Sequence, residues 1–506
     1  MPPEPRPIGE HPLRLEEIGE AAAGRLALAL DPSPGLAARI EGSVAFVDRA
    51  LAEGRTVYGL TTGLGASVRV GVDPAVAAAL PLNLLRYHGC GTGRLLAPEE
   101  SAAVLVARLA SLARGYSGVR REVLDALLGL LARRVLPAIP EEGSVGASGD
   151  LTPLSYVAAV LAGEREVLVG GEVRPTPGAL AEAGLAPVAL RPKESLAIMN
   201  GTSVMSALGA LGWLRARRLA AWAATLSGVA VDVLQGNRDH YDPRIFALKP
   251  HAGSERAAAW IREAAGQGPA ARLQDVYSLR CAPHVLGVLL DALPFARTLL
   301  ETEIHGVNDN PIIDGDRALH GGNFYGGHPC LATDTLKTAV ANVADLLERQ
   351  LVLLNDPDRN AGLPANLVRR NGADGATHHG FKAMEITASA LTAEALKLAG
   401  PASVFSRSTE SHNQDKVSMG TLSARELRRT LDLTETVAAI HTLALCQAVD
   451  LREGAARASQ ALRDAVRTHV ARLDEDRRMD RDIDRVLGAY RSGDLPVAAT
   501  EGGEAP

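Results

Sequence analysis

The feature that most constrains this chain is a set of long stretches in which alanine and leucine recur at three- and four-residue spacing. Residues 202–235, 284–305, 330–355, 378–399 and 421–452 all read this way. That spacing lines apolar side chains along one face of an α-helix. Several of the stretches are apolar round most of their circumference. This demands burial on all sides, and it leads us to expect subunits packed against one another. Alanine favours helix and lets helix axes approach closely. Aromatic residues make up only 3% of the 506 positions, so small side chains must build the core. The fold class that follows is mainly α, a bundle of long helices.

The character of the chain changes near residue 200. We expect an N-terminal domain over 1–200, a central long-helix domain over 201–490 and a flexible polar tail over 491–506. Residues 1–15 are Pro-rich and read as a loose arm or one ordered on contact. Shorter helices are expected over 36–53, 74–89, 97–134 and 151–163. The stretch EVLVGGEVRPTP (166–177) predicts a two-stranded hairpin around Gly170 and Gly171, the one clear strand signal.

Bulk properties exclude several classes. A net charge of −6 gives no electrostatic reason to bind nucleic acid or acidic lipid. The four cysteines show no CxxC pair, so neither a zinc site nor a disulfide framework is expected, and a reducing compartment fits. The first residues, MPPEPRPIGEHPLRLEEIGE, lack the apolar run of a signal peptide. No run of about 18 uncharged apolar residues is read, so no membrane span and a cytoplasmic location are expected.

Polar and glycine residues concentrate in a few segments between helices, where chemistry usually sits. One is GSVGASGD (143–150). It is not a G-x-S-x-G nucleophile elbow, because Asp150 stands where the second glycine belongs. The glycines at 59, 63 and 65 resemble a phosphate loop only loosely; no Lys-Ser/Thr pair follows and no βαβ unit surrounds them. His378 and His379 lack a carboxylate partner at helical spacing and read as surface or supporting residues. The basic clusters at 215–218 and 425–429 read as solvated faces or inter-subunit pairs. Taken singly, each remaining segment has a bland reading as a turn or a helix cap.

Taken together and in order, the segments are specific. YGLTTGLG, GSVGASGDLTPLSY, MNGTS, QDVYSLRC, NDNP, GGNF and HNQD, with LNLLRYHGCGTG beside the first, run from residue 57 to 419. This set resembles the aromatic amino acid ammonia-lyases: the histidine, phenylalanine and tyrosine ammonia-lyases and their aminomutase relatives. The resemblance implies the helical architecture shared with fumarase-like lyases, although no GSSxMPxKxN-type loop is present. In that family an Ala-Ser-Gly tripeptide condenses on itself. Here the Gly149 nitrogen would attack the Ala147 carbonyl, two waters would leave, and the Ser148 side chain would become an exocyclic methylene. The implied cofactor is therefore 4-methylideneimidazole-5-one (MIO), formed from Ala147, Ser148 and Gly149, with no metal. The residue types suit the task. Glycine leaves its nitrogen unobstructed, alanine leaves the carbonyl uncrowded, serine carries a hydroxyl to eliminate, and Gly143 and Gly146 allow a compressed backbone.

The resemblance implies further roles. Tyr58 is the base that removes the β-proton; with an ordinary phenol pKa near 10 it needs neighbours that stabilise phenolate, and the glycine-rich loop offers backbone N–H groups. Arg280 pairs with the substrate carboxylate, and Gln274 and Tyr277 line the pocket beside it. Asn200 hydrogen-bonds the ring or the carboxylate. Phe324 packs on the substrate side chain. Glu410 and Gln414 approach the amine from another subunit's side. A homotetramer with shared sites is implied, acting on a small amino acid, with no nucleic acid or membrane partner.

Tyr87 and His88 occupy the pair on which selectivity in the family rests. Phenylalanine-type members resemble Phe-Leu there, tyrosine-type His-Leu and histidine-type Ser-His. This chain matches the histidine type at His88, but carries Ser203 where histidine lyases have glutamine, and its ESHNQD resembles the other branches. Histidine or tyrosine is favoured over phenylalanine, whose bare ring would leave a polar pair unsatisfied. Two alternatives stand beside the lyase: a 2,3-aminomutase on the same substrates, and a catalytically dead helical assembly protein.

Overall fold

The computed structural model describes residues 4–73, 77–369 and 375–498. Two compact units emerge. The first gathers Met1–Leu214, Ala296–Asp334 and Pro401–Arg425, and the second gathers Arg215–Phe295, Thr335–Gly400 and Glu426–Pro506. The division near residue 200 follows chain character; contact density groups the chain differently, because segments distant in sequence pack together.

The long helices form where alanine and leucine recur: Ser203–Val233, Ala282–His305, Gly327–Asn355, Lys382–Leu398 and Gly420–Leu451. In the second unit Ala341, Ala344, Ala395 and Leu433 meet in one cluster, where side chains this small let backbones come close. Trp222 stacks on Tyr490 with ring centroids 3.9 Å apart. Helix Ser203–Val233 is buried over most of its length within this single chain, as is the C-terminal half of Gly420–Leu451. Its apolar circumference is largely covered by the chain itself. Other long helices expose apolar side chains, among them Val288, Phe295, Leu331, Ile386 and Leu396.

Other expectations need correction. The stretch 97–134 is two helices, Pro98–Leu112 and Arg121–Ala132, because Gly115 (φ 80°) and Gly118 (φ 65°) turn the chain between them. Of 74–89, residues 74–76 lie outside the described residues and the helix is Leu80–Tyr87. Of the N-terminal arm, residues 1–3 lie outside the described residues; Arg6–Ile8 pairs in parallel with Leu28–Leu30, and Ile8 and Leu13 are buried, which fits the reading of an arm ordered on contact. Of the tail, residues 499–506 lie outside the described residues, while Leu495 is buried and the Ala498 N–H donates to Thr225 Oγ1 at 3.0 Å. The hairpin forms as expected from Glu166–Val169 and Glu172–Pro175. Three further short strand pairings involve Thr92–Leu95 with Pro140–Glu142, Leu136–Pro137 with Glu166–Val169, and Ile312–Asp314 with Arg317–Leu319.

Two charge readings also change. Arg215 pairs with Asp432 at 2.7 Å and Glu435 at 2.9 Å, and Arg425 pairs with Glu142 at 3.1 Å, so these basic clusters are tied down within the chain. The stretch Tyr277–His305 is long and apolar enough to cross a membrane by length and composition, which core helices also satisfy.

Candidate active site

The Ala-Ser-Gly loop is built by its neighbours in the first unit. Val145 and Ala147 pack on a cluster of Ala402, Val417 and Met419, and the Met419 N–H donates to the Val145 carbonyl at 3.0 Å. Ser148 (φ 50°) and Gly149 (φ 76°) are consecutive left-handed residues, a conformation that costs serine energy. Gly149 pairs with Gly201 so closely that a Cβ on it would lie 2.1 Å from the Gly201 oxygen. Gly143 (φ 124°) and Gly146 (φ 78°) supply the bends before it. Asp150 is fully buried, and its Oδ2 accepts the N–H groups of Val204 at 2.9 Å and Met205 at 3.0 Å. It thus caps helix Ser203–Val233 rather than the helix that follows it, Leu151–Leu161. Burial pushes its carboxyl pKa up, while donors led by Thr421 pull the other way. The cradle fits a ring made from residues 147–149: the bend is compressed, and only glycine can stand at the nitrogen that closes it.

Tyr58 reaches its place because Val57 and Leu60, on either side of it, are buried against Phe46, Val47 and Ala50 of helix Pro34–Ala52. The loop then turns back, and the Gly65 N–H donates to Tyr58 Oη at 2.9 Å. The next amide, Ala66, donates to Glu410 Oε1 at 2.8 Å. Glu410 therefore lies against the Tyr58 loop of its own chain. Segment Pro401–Arg425, which carries Glu410 and Gln414, belongs to the first unit. The Tyr58 phenol is nonetheless raised above its ordinary pKa. Burial is the main cause, Gly65 opposes it, and the Glu410 charge adds to it. Gln414 faces inward to its own turn, where Thr409 Oγ1 donates to Gln414 Oε1 at 2.8 Å.

The Tyr87 and His88 rings meet with centroids 4.3 Å apart and planes tilted by 34°. Burial pushes the His88 pKa down to about 4, so the imidazole is neutral. The Tyr87 phenol, though its residue is 61% exposed, is raised by lost hydration and by the charges of Tyr58 and Glu410. Phe324 is half-buried, and Tyr58 N–H donates to His320 Nε2 at 3.3 Å.

A buried polar layer that the sequence reading missed lies behind the loop. Asn200 Nδ2 donates to Asp309 Oδ1 at 3.2 Å and to the Asn310 carbonyl at 2.9 Å. Lys193 Nζ meets Asp309 Oδ2 at 2.7 Å, both side chains almost wholly enclosed. Arg108, also fully buried, donates to the Asn200 carbonyl at 3.2 Å and to Asn308 Oδ1 at 3.1 Å. Burial lowers the pKa of both cations, that of Arg108 to about 10. A charged residue inside an apolar helix was the available signal, at Arg108 within 101–112.

Gln274, Tyr277 and Arg280 belong to the second unit. Gln274 and Tyr277 are exposed, and the Arg280 guanidinium lies 5.0 Å from the Tyr277 ring centroid. Arg280 Nε donates to the Asp275 carbonyl at 3.2 Å. Among the described residues no carboxylate pairs with Arg280, and no group of His, Cys, Asp and Glu could hold a metal ion.

The first unit thus holds the Ala-Ser-Gly bend and a tyrosine hung from a glycine loop. Comparison with known proteins agrees with the family resemblance. The aromatic amino acid lyase family profile matches residues 13–469. Histidine ammonia-lyase of Myxococcus xanthus is 37% identical over 497 residues, covering 96% of each chain. That of Gloeobacter violaceus is 39% identical, covering 96% of this chain and 95% of its own. Among solved structures, tyrosine aminomutase from Streptomyces globisporus superposes with a TM-score of 0.90 at 34% identity, covering 97% of each chain. Histidine ammonia-lyase from Trypanosoma cruzi gives 0.88 at 32%, covering 97% of this chain and 94% of its own. The chain belongs to the aromatic amino acid lyase family, and it is a carbon–nitrogen lyase.

Proposed function

We propose that the protein is a histidine ammonia-lyase, eliminating ammonia from L-histidine to give the α,β-unsaturated imidazole acid. Full-length likeness to histidine ammonia-lyases carries this reading. The neutral His88 imidazole supports it, since it can exchange a hydrogen bond with a substrate imidazole in either tautomer. The MIO group drawn from Ala147, Ser148 and Gly149 supplies an electrophilic methylene that no ordinary side chain offers.

The chain's own groups do the rest. Arg280 takes the substrate carboxylate through its two-pronged guanidinium, with Gln274 and Tyr277 beside it. Tyr58 accepts the β-proton at Oη, which the Gly65 N–H already holds. A substrate ammonium near Glu410 offsets the negative charge that otherwise raises the phenol, so binding itself readies the base. Phe324 packs on the substrate ring. A homotetramer with sites shared between copies and a cytoplasmic location complete the proposal. Likeness to tyrosine aminomutase motivates the second reading, in which the amine returns to the β-carbon.

Incubation with histidine, tyrosine and phenylalanine separately, followed by ultraviolet absorbance of the unsaturated acids and chromatography for β-amino acids, decides between these. Histidine consumption with equal ammonia release supports the lyase. A β-amino product supports the aminomutase. Turnover of none contradicts both.

A further inference from the structure

We propose that the buried Lys193–Asp309 pair fixes the direction of the Asn200 amide, so that Asn200 meets the bound amino acid as an acceptor for its ammonium group. This rests on the reading of the site as one that eliminates an amine.

Asn200 is 2% exposed and follows directly on helix Glu194–Met199, one residue before Gly201, which pairs with Gly149 of the Ala-Ser-Gly loop. An asparagine amide has two N–H hydrogens and one acceptor oxygen. Both hydrogens are spent on Asp309 Oδ1 and the Asn310 carbonyl. Turning the amide over would aim its oxygen at those same two acceptors, an arrangement with nothing to hold it. The remaining atom, Oδ1, is buried and has no hydrogen-bond partner in the chain. A buried acceptor left empty is costly, so a ligand that supplies a donor there gains what the free protein lacks.

Asp309 is itself held rigidly. Its Oδ2 takes Lys193 Nζ at 2.7 Å, and its Oδ1 takes the Asn310 N–H at 2.7 Å as well as Asn200. Lys193 occupies φ 80°, a left-handed conformation unusual for lysine, at the start of helix Glu194–Met199. Backbone strain of this kind persists only where the surroundings fix it. The Asn200 backbone is pinned too, by Arg108 Nη1 on its carbonyl at 3.2 Å. The amide can therefore neither flip nor drift.

The consequence is chemical. A substrate carboxylate is an acceptor, and the imidazolone ring offers only acceptor atoms. Neither complements Asn200 Oδ1, although the family resemblance suggested those two partners. The ammonium of the amino acid does complement it. Lys193 and Asp309 are thus positioning residues, and Asn200 is the group that touches substrate.

Two truncated ligands separate the possibilities: 2-(imidazol-4-yl)ethylamine, which keeps the amine, and 3-(imidazol-4-yl)propanoate, which keeps the carboxylate. Calorimetric affinities are measured for the full chain, for Asp309→Asn and for Asn200→Ala, with histidine turnover by the unaltered protein followed in parallel. We expect each variant to weaken the amine about tenfold, the loss of about one hydrogen bond to a charged group, and to change the carboxylate less than twofold. Asn200→Ala leaves the ion pair intact, so the test survives misfolding of Asp309→Asn. Selective loss of the carboxylate ligand, equal loss of both, or no binding of the amine to the unaltered protein overturns the proposal. Turnover without the amine effect removes this inference alone; the amine effect without turnover removes the proposed function alone.

Discussion

Tyr58 and Glu410 hang from consecutive backbone amides: Gly65 N–H holds the phenol oxygen at 2.9 Å, and Ala66 N–H holds the carboxylate at 2.8 Å. One glycine turn thereby sets the proposed base beside a negative charge. That charge raises the phenol pKa further than burial alone.

Replacing Glu410 by glutamine should therefore lower the Tyr58 pKa, because the neutral amide no longer opposes phenolate. The alkaline-rising limb of kcat/KM, which reports the free enzyme's base, moves to lower pH. Maximal activity falls by roughly tenfold, the scale of one lost hydrogen bond to the charged substrate amine. A pH–rate profile checks both; a limb that stays put removes Glu410 from the electrostatics of the base.

Gly149→Ala should block ring formation. The new Cβ would sit 2.1 Å from the Gly201 oxygen, at φ 76° where alanine is already strained. Peptide mass over residues 143–150 should show an unmodified tripeptide, and histidine turnover should vanish. A variant with its two waters lost and activity retained contradicts this packing.

Lys193→Met should cost about 3–5 kcal/mol, because it leaves Asp309 buried without its cation. Lys193→Met with Asp309→Leu should recover much of that stability, since no charge then remains unpaired. Activity should not return with it, because Asn200 loses its anchor. Denaturant melts beside the turnover assay measure the split; full activity in the double variant contradicts the anchoring role.

His441 is fully buried and neither ring nitrogen has a hydrogen-bond partner. Burial lowers its pKa to about 3 in the folded chain. The unfolded chain, with an ordinary histidine pKa near 6.5, takes up the proton first. Stability from this site is complete above pH 6.5 and falls as pH drops toward 3, by about 1.4 kcal/mol per unit. His441→Leu should flatten that dependence. Melting temperatures across pH 7 to 4 test it, and parallel curves for the two proteins contradict it.

What the sequence made legible has a physical pattern. Long helices announced themselves because alanine propensity and three-to-four spacing agree over 17 to 32 residues. The break between Leu112 and Arg121 was hidden because alanine and leucine continue on both sides of two glycines. The Ala-Ser-Gly loop was readable only in company, because the tripeptide alone means little and the ordered motifs from residue 57 to 419 carry the resemblance. The placement of Glu410 was not, since Ala66 lies 344 residues away in the chain. Lys193 was missed, and Asp309 was read only as part of NDNP, for the same reason: a lone lysine reads as surface until its partner, 116 residues on, is brought to it.

The account depends first on residues 147–149 closing into a ring. Mass analysis of the purified chain, localised to the peptide spanning Gly143–Asp150, tests this directly. The account predicts a deficit of two water molecules at Ala147–Ser148–Gly149, absent in Ser148→Ala. A peptide of unaltered mass from protein that still turns over histidine contradicts it.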